Sequence, residues 1–577
     1  MRQERGSYLK KWTGKTPIAL IYPNSYAVGM SSLGFQLVYA LLNEQENVCC
    51  ERFFLPDKGQ PLLSLESGRP LHDFPYVFFS VSFEYDYLNI VKILLAAGIE
   101  PFAMKRHLHG KREHFVVCGG VATFMNPEPI APFADFFLVG EAEPVLAPFV
   151  DFLLEFSQVL SARELYIAAA QKFDGVYAPL LYAPYYDERG RCSGMLSDPG
   201  IPSRVKRVYL PETRKAGHSE LMTPLSEFSD LYLTELGRGC SRGCRFCTAA
   251  FIYRPPRLWD ADAVVEALAE MGADVNRVGL LGMEMADDQT LDRISGYILE
   301  SGCALSFSSL RADRINDKLL ELLGRSGLKS VAIAPDGASE RLRCVINKGL
   351  SREDLLTGAR RLVQAGIFKL KLYVMVGLPT ETLDDLREFV ELVLEIKKSI
   401  DSLGRERGRL TEMYLSVNCF IPKPWTPFQF HPFGISRQLD ENEVSSLDEA
   451  LGALRSKIAF LKRELGSVAN IHFQADKPDN ALYQALLARG DRRLADVLHD
   501  MAVSGMSWKK AVKKNGIILE NLILAGYGAQ SFFPWYSIDH GIRHDHLFQE
   551  YMKGFSLQFT SPCDPSICCR CGVCGER

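Results

Sequence analysis

The chain has 577 residues, 47% hydrophobic and 24% charged, with a formal net charge of -4 at pH 7. This length is too great for one hydrophobic core and predicts about three or four domains. The composition excludes a disordered chain, the charge gives no global pull toward nucleic acid or an anionic membrane, and no segment approaches the ~20 apolar residues of a membrane span.

Residues 1–160 open on a charged stretch that lacks the apolar core of a secretory signal, so a cytoplasmic protein is expected. Short apolar runs then alternate with amphipathic stretches. The strand candidates are Ile18–Tyr22, Val77–Val81, Phe115–Cys118 and Phe136–Val139. Ser31 and Ser32 can cap a helix that puts Leu33, Leu37, Leu41 and Leu42 on one side, and Leu88, Val91 and Leu95 mark another. The pattern is that of a doubly wound α/β, Rossmann-like domain. Residues 161–225 hold Pro179, Pro184, Pro199, Pro202 and Pro211 and read as a linker over the surface.

From 226 to 432 the alternation resumes, with strands at Leu231–Glu235, Arg277–Leu281, Leu305–Ser308, Lys329–Ala334, Phe368–Met375 and Met413–Phe420 and helices between them. Six strand–helix steps predict a partial, TIM-like (β/α)6 barrel. Residues 433–560 read as a mainly helical domain. Val444, Leu447, Leu451, Leu454, Ile458, Leu461 and Leu465 form a heptad stripe, expected to pack a long helix on the barrel rather than build a dimer. Residues 561–577 are a cysteine-rich tail.

The fifteen cysteines fall unevenly, with three in Cys240–Cys247 and five in Cys563–Cys574. Close clusters in a large chain point to metal ligands rather than disulfides. In TELGRGCSRGCRFC, Cys240, Cys244 and Cys247 follow C-x3-C-x2-C directly after the first barrel strand. Three thiolates on one loop can hold three irons of a 4Fe-4S cluster and leave the fourth open to a small molecule. Gly237, Gly239 and Gly243 let the loop wrap closely, and Arg238, Arg242 and Arg245 can offset the charge of thiolates and sulfides. The competing reading is a zinc knuckle with a fourth ligand elsewhere.

At these residues the chain resembles the radical S-adenosylmethionine (SAM) superfamily. The likeness continues in RGCSRGCRFCTAAFIYRPPR, PDGASERLRCVINKG, GLPTET and FIPKPWTPFQF, and points to a branch with an N-terminal cobalamin-binding-like domain. It covers roughly residues 15–430. The resemblance implies that SAM chelates the open iron and that one electron cleaves its sulfonium to methionine and a 5'-deoxyadenosyl radical. It also implies an electron donor such as flavodoxin or ferredoxin. Carried over position by position, it suggests Glu284 for the methionyl amine, Ser309 and Arg311 after the third strand with Arg311 on the SAM carboxylate, Asp336 for a ribose hydroxyl, and Gly377 and Glu381 near adenine. Phe420–Phe430 reads as a pocket wall or as core packing.

Cobalamin-binding domains of this topology usually present D-x-H-x-x-G after the first strand. The matching stretch here is Asn24–Gly29, with Tyr26 where the cobalt-ligating histidine is usual. A phenol is a poor ligand at neutral pH, so either cobalamin binds without a protein lower ligand or the domain has kept the fold alone. Ser80–Ser82, Gly119–Gly120 and Gly140–Glu141 match other loop positions of the family.

In the tail, Cys563, Cys568, Cys571 and Cys574 follow C-x4-C-x2-C-x2-C, with Cys569 spare. These four suit a second 4Fe-4S cluster or an all-cysteine zinc site. His540, His544 and His546 read as a solvated turn rather than a metal site. The leading expectation is a radical SAM enzyme acting on an unknown substrate, with cobalamin-linked methyl transfer as one form of it. The alternatives are a methylthiotransferase-like RNA-modifying enzyme, for which Arg489–Arg493 could touch phosphate, and a non-catalytic iron–sulfur redox or scaffold protein.

Overall fold

The computed structural model describes residues 4–107, 114–229, 231–282, 287–306, 309–441 and 443–575. The N-terminal domain is built on a six-stranded sheet in the order Val48–Phe54, Thr16–Tyr22, Tyr76–Ser80, Phe115–Gly119, Phe136–Leu138, Val176–Tyr177. The first five strands run parallel and the last is antiparallel. Helices cover both faces, so the strands read as unbroken apolar runs. Strand order reverses beside Thr16–Tyr22, which opens a crevice at the carboxyl ends of the central strands.

One strand of this sheet, Val48–Phe54, is not legible in the sequence. All seven of its residues are buried although Glu51 and Arg52 interrupt the apolar run. Arg52 is compensated by ion pairs to Glu4 and Glu66, each at 2.7 Å.

The stretch 161–225, expected to be a bare linker, has structure of its own. Ser161 and Glu164 form a capping box that starts the helix Ala162–Lys172. Val176–Tyr177 then closes the edge of the N-terminal sheet, and Tyr182–Tyr186 pairs with Cys192–Ser197 as a hairpin. Val205–Lys206 pairs with Ile538–Asp539, which ties the N-terminal half to the C-terminal region.

The central domain carries parallel strands Tyr232–Glu235, Arg277–Leu281 and Ala304–Ser306 in one sheet, and Ser330–Asp336, Lys369–Val376, Glu412–Cys419 and Ile471–Ala475 in a second. Among the described residues, a bridge from Leu310 to Ile333 joins them. The barrel therefore has a seventh strand beyond the six expected. Ile471–Ala475 lies in the region expected to be helical, and its half-exposed pattern hid it from hydropathy. The heptad stripe is the helix Leu447–Leu465 that leads into this strand. It packs on the barrel as expected, with Leu451, Leu454, Leu461 and Leu465 buried.

The C-terminal helices clasp the N-terminal domain. The Asn126 amide donates to the Ala488 and Gly490 carbonyls at 3.0 and 2.9 Å, and Arg492 pairs with buried Glu128 at 2.8 Å. The Arg489–Arg493 segment is thus an internal clamp: Arg489 is 2% exposed, and Arg493 pairs with Asp491. The three histidines are not a solvated turn either. His540 is buried against the Phe124 carbonyl, His546 is buried, and His544 bonds Tyr536 and the Ala529 carbonyl. Trp425, Phe428 and Phe430 are core residues, and the Trp425 indole N–H donates to the Met125 carbonyl of the N-terminal domain at 3.1 Å. No described helix is long and apolar enough to cross a membrane.

Candidate functional site

The first barrel strand ends at Glu235, and Gly237–Arg238 then pairs antiparallel with Arg257–Leu258. That ribbon closes the loop holding Cys240, Cys244 and Cys247. Gly239 has φ +90°, and a Cβ there would come within 2.8 Å of the Tyr253 carbonyl oxygen, so only glycine closes the loop this tightly. Inside the loop the Cys247 N–H donates to the Cys244 carbonyl at 3.0 Å, and the Ala250 N–H to that of Cys247 at 3.1 Å.

The loop is held from two sides. Asn347 donates its amide to the Arg242, Gly243 and Thr560 carbonyls at 3.2, 3.3 and 3.0 Å, and accepts from the Thr560 N–H at 2.9 Å. Buried Arg245 donates to the Val345 and Gln558 carbonyls at 2.9 and 2.6 Å and pairs with Glu550 at 3.3 Å. These bonds make it an anchor of the loop, while its charge still acts on Cys244. Arg238 is diverted, to Glu141, Glu143 and Glu235 at 2.7–3.0 Å.

Lys348, Arg311 and Arg242 are among the cations that act on Cys244. Burial raises the Cys244 thiol, Lys348 opposes that rise and Asp336 adds to it. Burial pushes the Cys247 thiol up to about 12, and neighbouring Cys244 adds to it. These two buried thiols resist ionisation until a metal takes their protons' place. Among the described residues, no three His, Cys, Asp or Glu side chains converge on a single metal ion. A cubane asks instead for thiolates spread around its corners, one to each iron. The donor chemistry of the loop fits that group.

Of the carried-over positions, Arg311 and Asp336 do come to the cysteine loop. Arg311 is gripped by Asp313 at 2.9 and 3.1 Å and donates to the Lys348 carbonyl at 3.1 Å. Asp336 pairs with Lys348 at 2.5 Å and is held in a left-handed conformation at φ +59°. Ser309 is exposed at the end of the third strand. Glu284 lies outside the described residues. Glu381 is buried and engaged by the Gly377 N–H at 2.7 Å and by Lys457 at 2.6 Å, so it fastens its own loop. Asn347 and Lys348 were missed by residue-by-residue reading. Their only signal was their place in the stretch PDGASERLRCVINKG.

Beside the loop lies a cavity of about 520 Å³ between the two domains. Ser80, Ser82, Gly119, Gly120, Gly140 and Glu141 line it from the N-terminal sheet, so three of the family-matching loops of that domain meet in one place. Glu235, Gly237, Arg238, Leu281 and Gly282 line it from the ends of the first two barrel strands, and Tyr253 from the end of the cysteine loop. Gly140 is forced by packing, since a Cβ would sit 2.0 Å from the Val208 carbonyl oxygen, whereas a Cβ on Gly34 would meet nothing within 4 Å. Tyr26 does not line the cavity. Its hydroxyl is bonded to Glu4 and to Thr223, and burial pushes it up to about 12.

Comparison with known proteins follows the same division. Residues 34–179 match the family model for the N-terminal region of radical SAM proteins, and residues 234–393 match that of the radical SAM superfamily. An uncharacterised protein of Methanocaldococcus jannaschii is 29% identical over 507 residues, covering 87% of this chain and 94% of that one. An uncharacterised methyltransferase of Pyrococcus horikoshii is 26% identical over 171 residues, 28% of this chain and 36% of that one. Among solved structures, the radical SAM methyltransferase TsrM of Kitasatospora setae, with cobalamin and a [4Fe-4S] cluster bound, aligns with a TM-score of 0.49 at 13% identity, covering 87% of this chain and 99% of that chain. With its cysteine loop on the first barrel strand and both family models matched in order, the chain belongs to the radical SAM superfamily, whose enzymes use a 4Fe-4S cluster and SAM.

Proposed function

We propose that Cys240, Cys244 and Cys247 hold the cluster, and that the interdomain cavity holds cobalamin for methyl transfer to a substrate still to be identified. The observation that carries this reading is the course of the cavity. It runs from the carboxyl ends of the N-terminal strands, the place where doubly wound domains take their ligands, to the ends of the first two barrel strands and Tyr253. When bound, the cluster and SAM supply one-electron cleavage of a sulfonium, and cobalamin supplies a methyl carrier.

This chain's own residues set the stage. Leu33, Leu37, Phe78 and Leu146 give the cavity an apolar wall suited to a large ring. Gly34 leaves the space a side chain would fill. Tyr26 stays fastened to Glu4 and Thr223, so binding proceeds without a protein ligand from that position. On the barrel side, Lys348 and Arg311 place positive charge by Cys244, and Asn347 keeps the loop in register. The methyltransferase name of the Pyrococcus relative agrees with this reading. The RNA-modifying alternative loses the basic segment that motivated it, because Arg489 and Arg492 are internal.

The enzyme needs a one-electron reductant, and a flavodoxin or ferredoxin suits the task. A reducing cytoplasm would keep the fifteen cysteines, none of them in a disulfide, as thiols. The test is an anaerobic titration with hydroxocobalamin followed by absorbance. The expected result is a saturable spectral change that is lost in Gly34→Phe. Absence of any change at saturating cobalamin overturns the cofactor assignment and leaves SAM cleavage to be measured separately.

A further inference from the structure

Residues 561–575 form neither helix nor strand, yet Cys563 and Cys571 are only 9% and 2% exposed. So short a segment has no apolar core of its own, and segments of this kind are held by disulfides or metals. None of the five cysteines is in a disulfide. Within the segment the Cys563 thiol lies against that of Cys568 and within electrostatic reach of Cys571. Arg570 brings its Nε to 3.3 Å from the Cys568 sulfur, and its Nη2 donates to the Ser561 and Pro562 carbonyls at 2.8 and 3.1 Å. A guanidinium fixed over a cysteine pair is charge compensation for thiolates.

The tail is also built onto the first cysteine loop. The Cys563 N–H donates to the Ser241 carbonyl at 2.7 Å, and the Arg543 N–H to that of Cys571 at 2.9 Å. By standard backbone dimensions, the contact through Ser241 puts the Cα atoms of Cys240 and Cys563 within about 10 Å of each other. The core spacing Cys568-x2-Cys571-x2-Cys574 repeats the loop with which ferredoxins wrap a cubane.

We propose that Cys563, Cys568, Cys571 and Cys574 ligate a second 4Fe-4S cluster, seated against the loop that carries Cys240, Cys244 and Cys247. The site locks the chain end to that loop, because Cys563 joins both. It does not depend on the cobalamin assignment. The test is metal and sulfide analysis of anaerobically reconstituted full-length protein. Iron should fall from about eight to about four per chain in Cys571→Ser/Cys574→Ser, with sulfide falling in parallel. Unchanged iron, or loss of a single zinc, overturns the proposal. Because that variant could fail to fold, Cys240→Ser/Cys244→Ser/Cys247→Ser provides the converse. It should retain about four irons and, once reduced, give a paramagnetic signal unmoved by SAM. Retention of no iron in that variant also overturns the proposal.

Discussion

His431 has no solvent exposure, and both ring nitrogens are engaged: Nδ1 lies 3.1 Å from the Tyr551 hydroxyl and Nε2 2.7 Å from the Ile435 carbonyl. Nε2 donates to the carbonyl, and a neutral ring satisfies the site with Nδ1 accepting from the Tyr551 hydroxyl. Burial lowers its pKa to about 4. Above the unfolded value near 6.5 the ring is neutral in both states and costs nothing. As pH falls from 6.5 toward 4 the unfolded chain gains a proton that the folded chain refuses, so stability is lost across that window. The expected loss is about 3 kcal/mol. Denaturant unfolding at pH 7 and pH 4.5 checks it: His431→Asn, which cannot titrate, should lose less on acidification than the unmutated protein, and parallel losses would refute the assignment. At this same scale the three cysteines were legible because their chemistry is written in local spacing. Asn347 and Lys348 were not, because they reach the loop only through tertiary contact about a hundred residues away in sequence, as the Asn347 bonds to Arg242 and Gly243 show.

Gly377 closes the fifth barrel strand, and the reading from family resemblance gave it close approach to adenine. The structure supplies a second reason for glycine. Its φ is +86°, and a Cβ would come within 2.6 Å of Leu454 on the long helix Leu447–Leu465. Gly377→Ala should therefore destabilise the fold by about 1–3 kcal/mol through overpacking. Thermal unfolding checks this, and Leu454→Ala should cost less in the Gly377→Ala background than in the unmutated protein, because it relieves the clash. If the two losses are additive while SAM binding falls, the cofactor reading of Gly377 prevails. The barrel's elements were readable because strand and helix periods alternate cleanly. Besides the short strands of 161–225, Val48–Phe54 and Ile471–Ala475 escaped for opposite reasons: the first buries a charged pair, and the second exposes part of its side chains.

On the scale of the whole molecule, the cavity exists because the C-terminal region grips the N-terminal domain and holds it over the barrel. Arg492 is central to that grip. Its guanidinium pairs with Glu128 at 2.8 Å and donates to the Tyr182 carbonyl at 2.7 Å and the Tyr177 hydroxyl at 3.1 Å. Glu128 is fully buried, and its other oxygen accepts from Tyr177. In the sequence RGDRR this arginine looked like a surface cation, because its partner stands 364 residues earlier and charge pairing at that distance leaves no local pattern. Removing one member of a buried pair strands the other's charge and costs about 3–5 kcal/mol. Arg492→Met should lower the unfolding midpoint accordingly, and Glu128→Gln added to it should restore most of the loss by removing the stranded charge. The double variant separates clamp from surface ornament: additive losses mean that the two residues act independently, whereas recovery means that the domains are held by this pair. Weaker cobalamin uptake in Arg492→Met, measured by the same absorbance titration, would then trace cavity geometry to a contact outside the cavity itself.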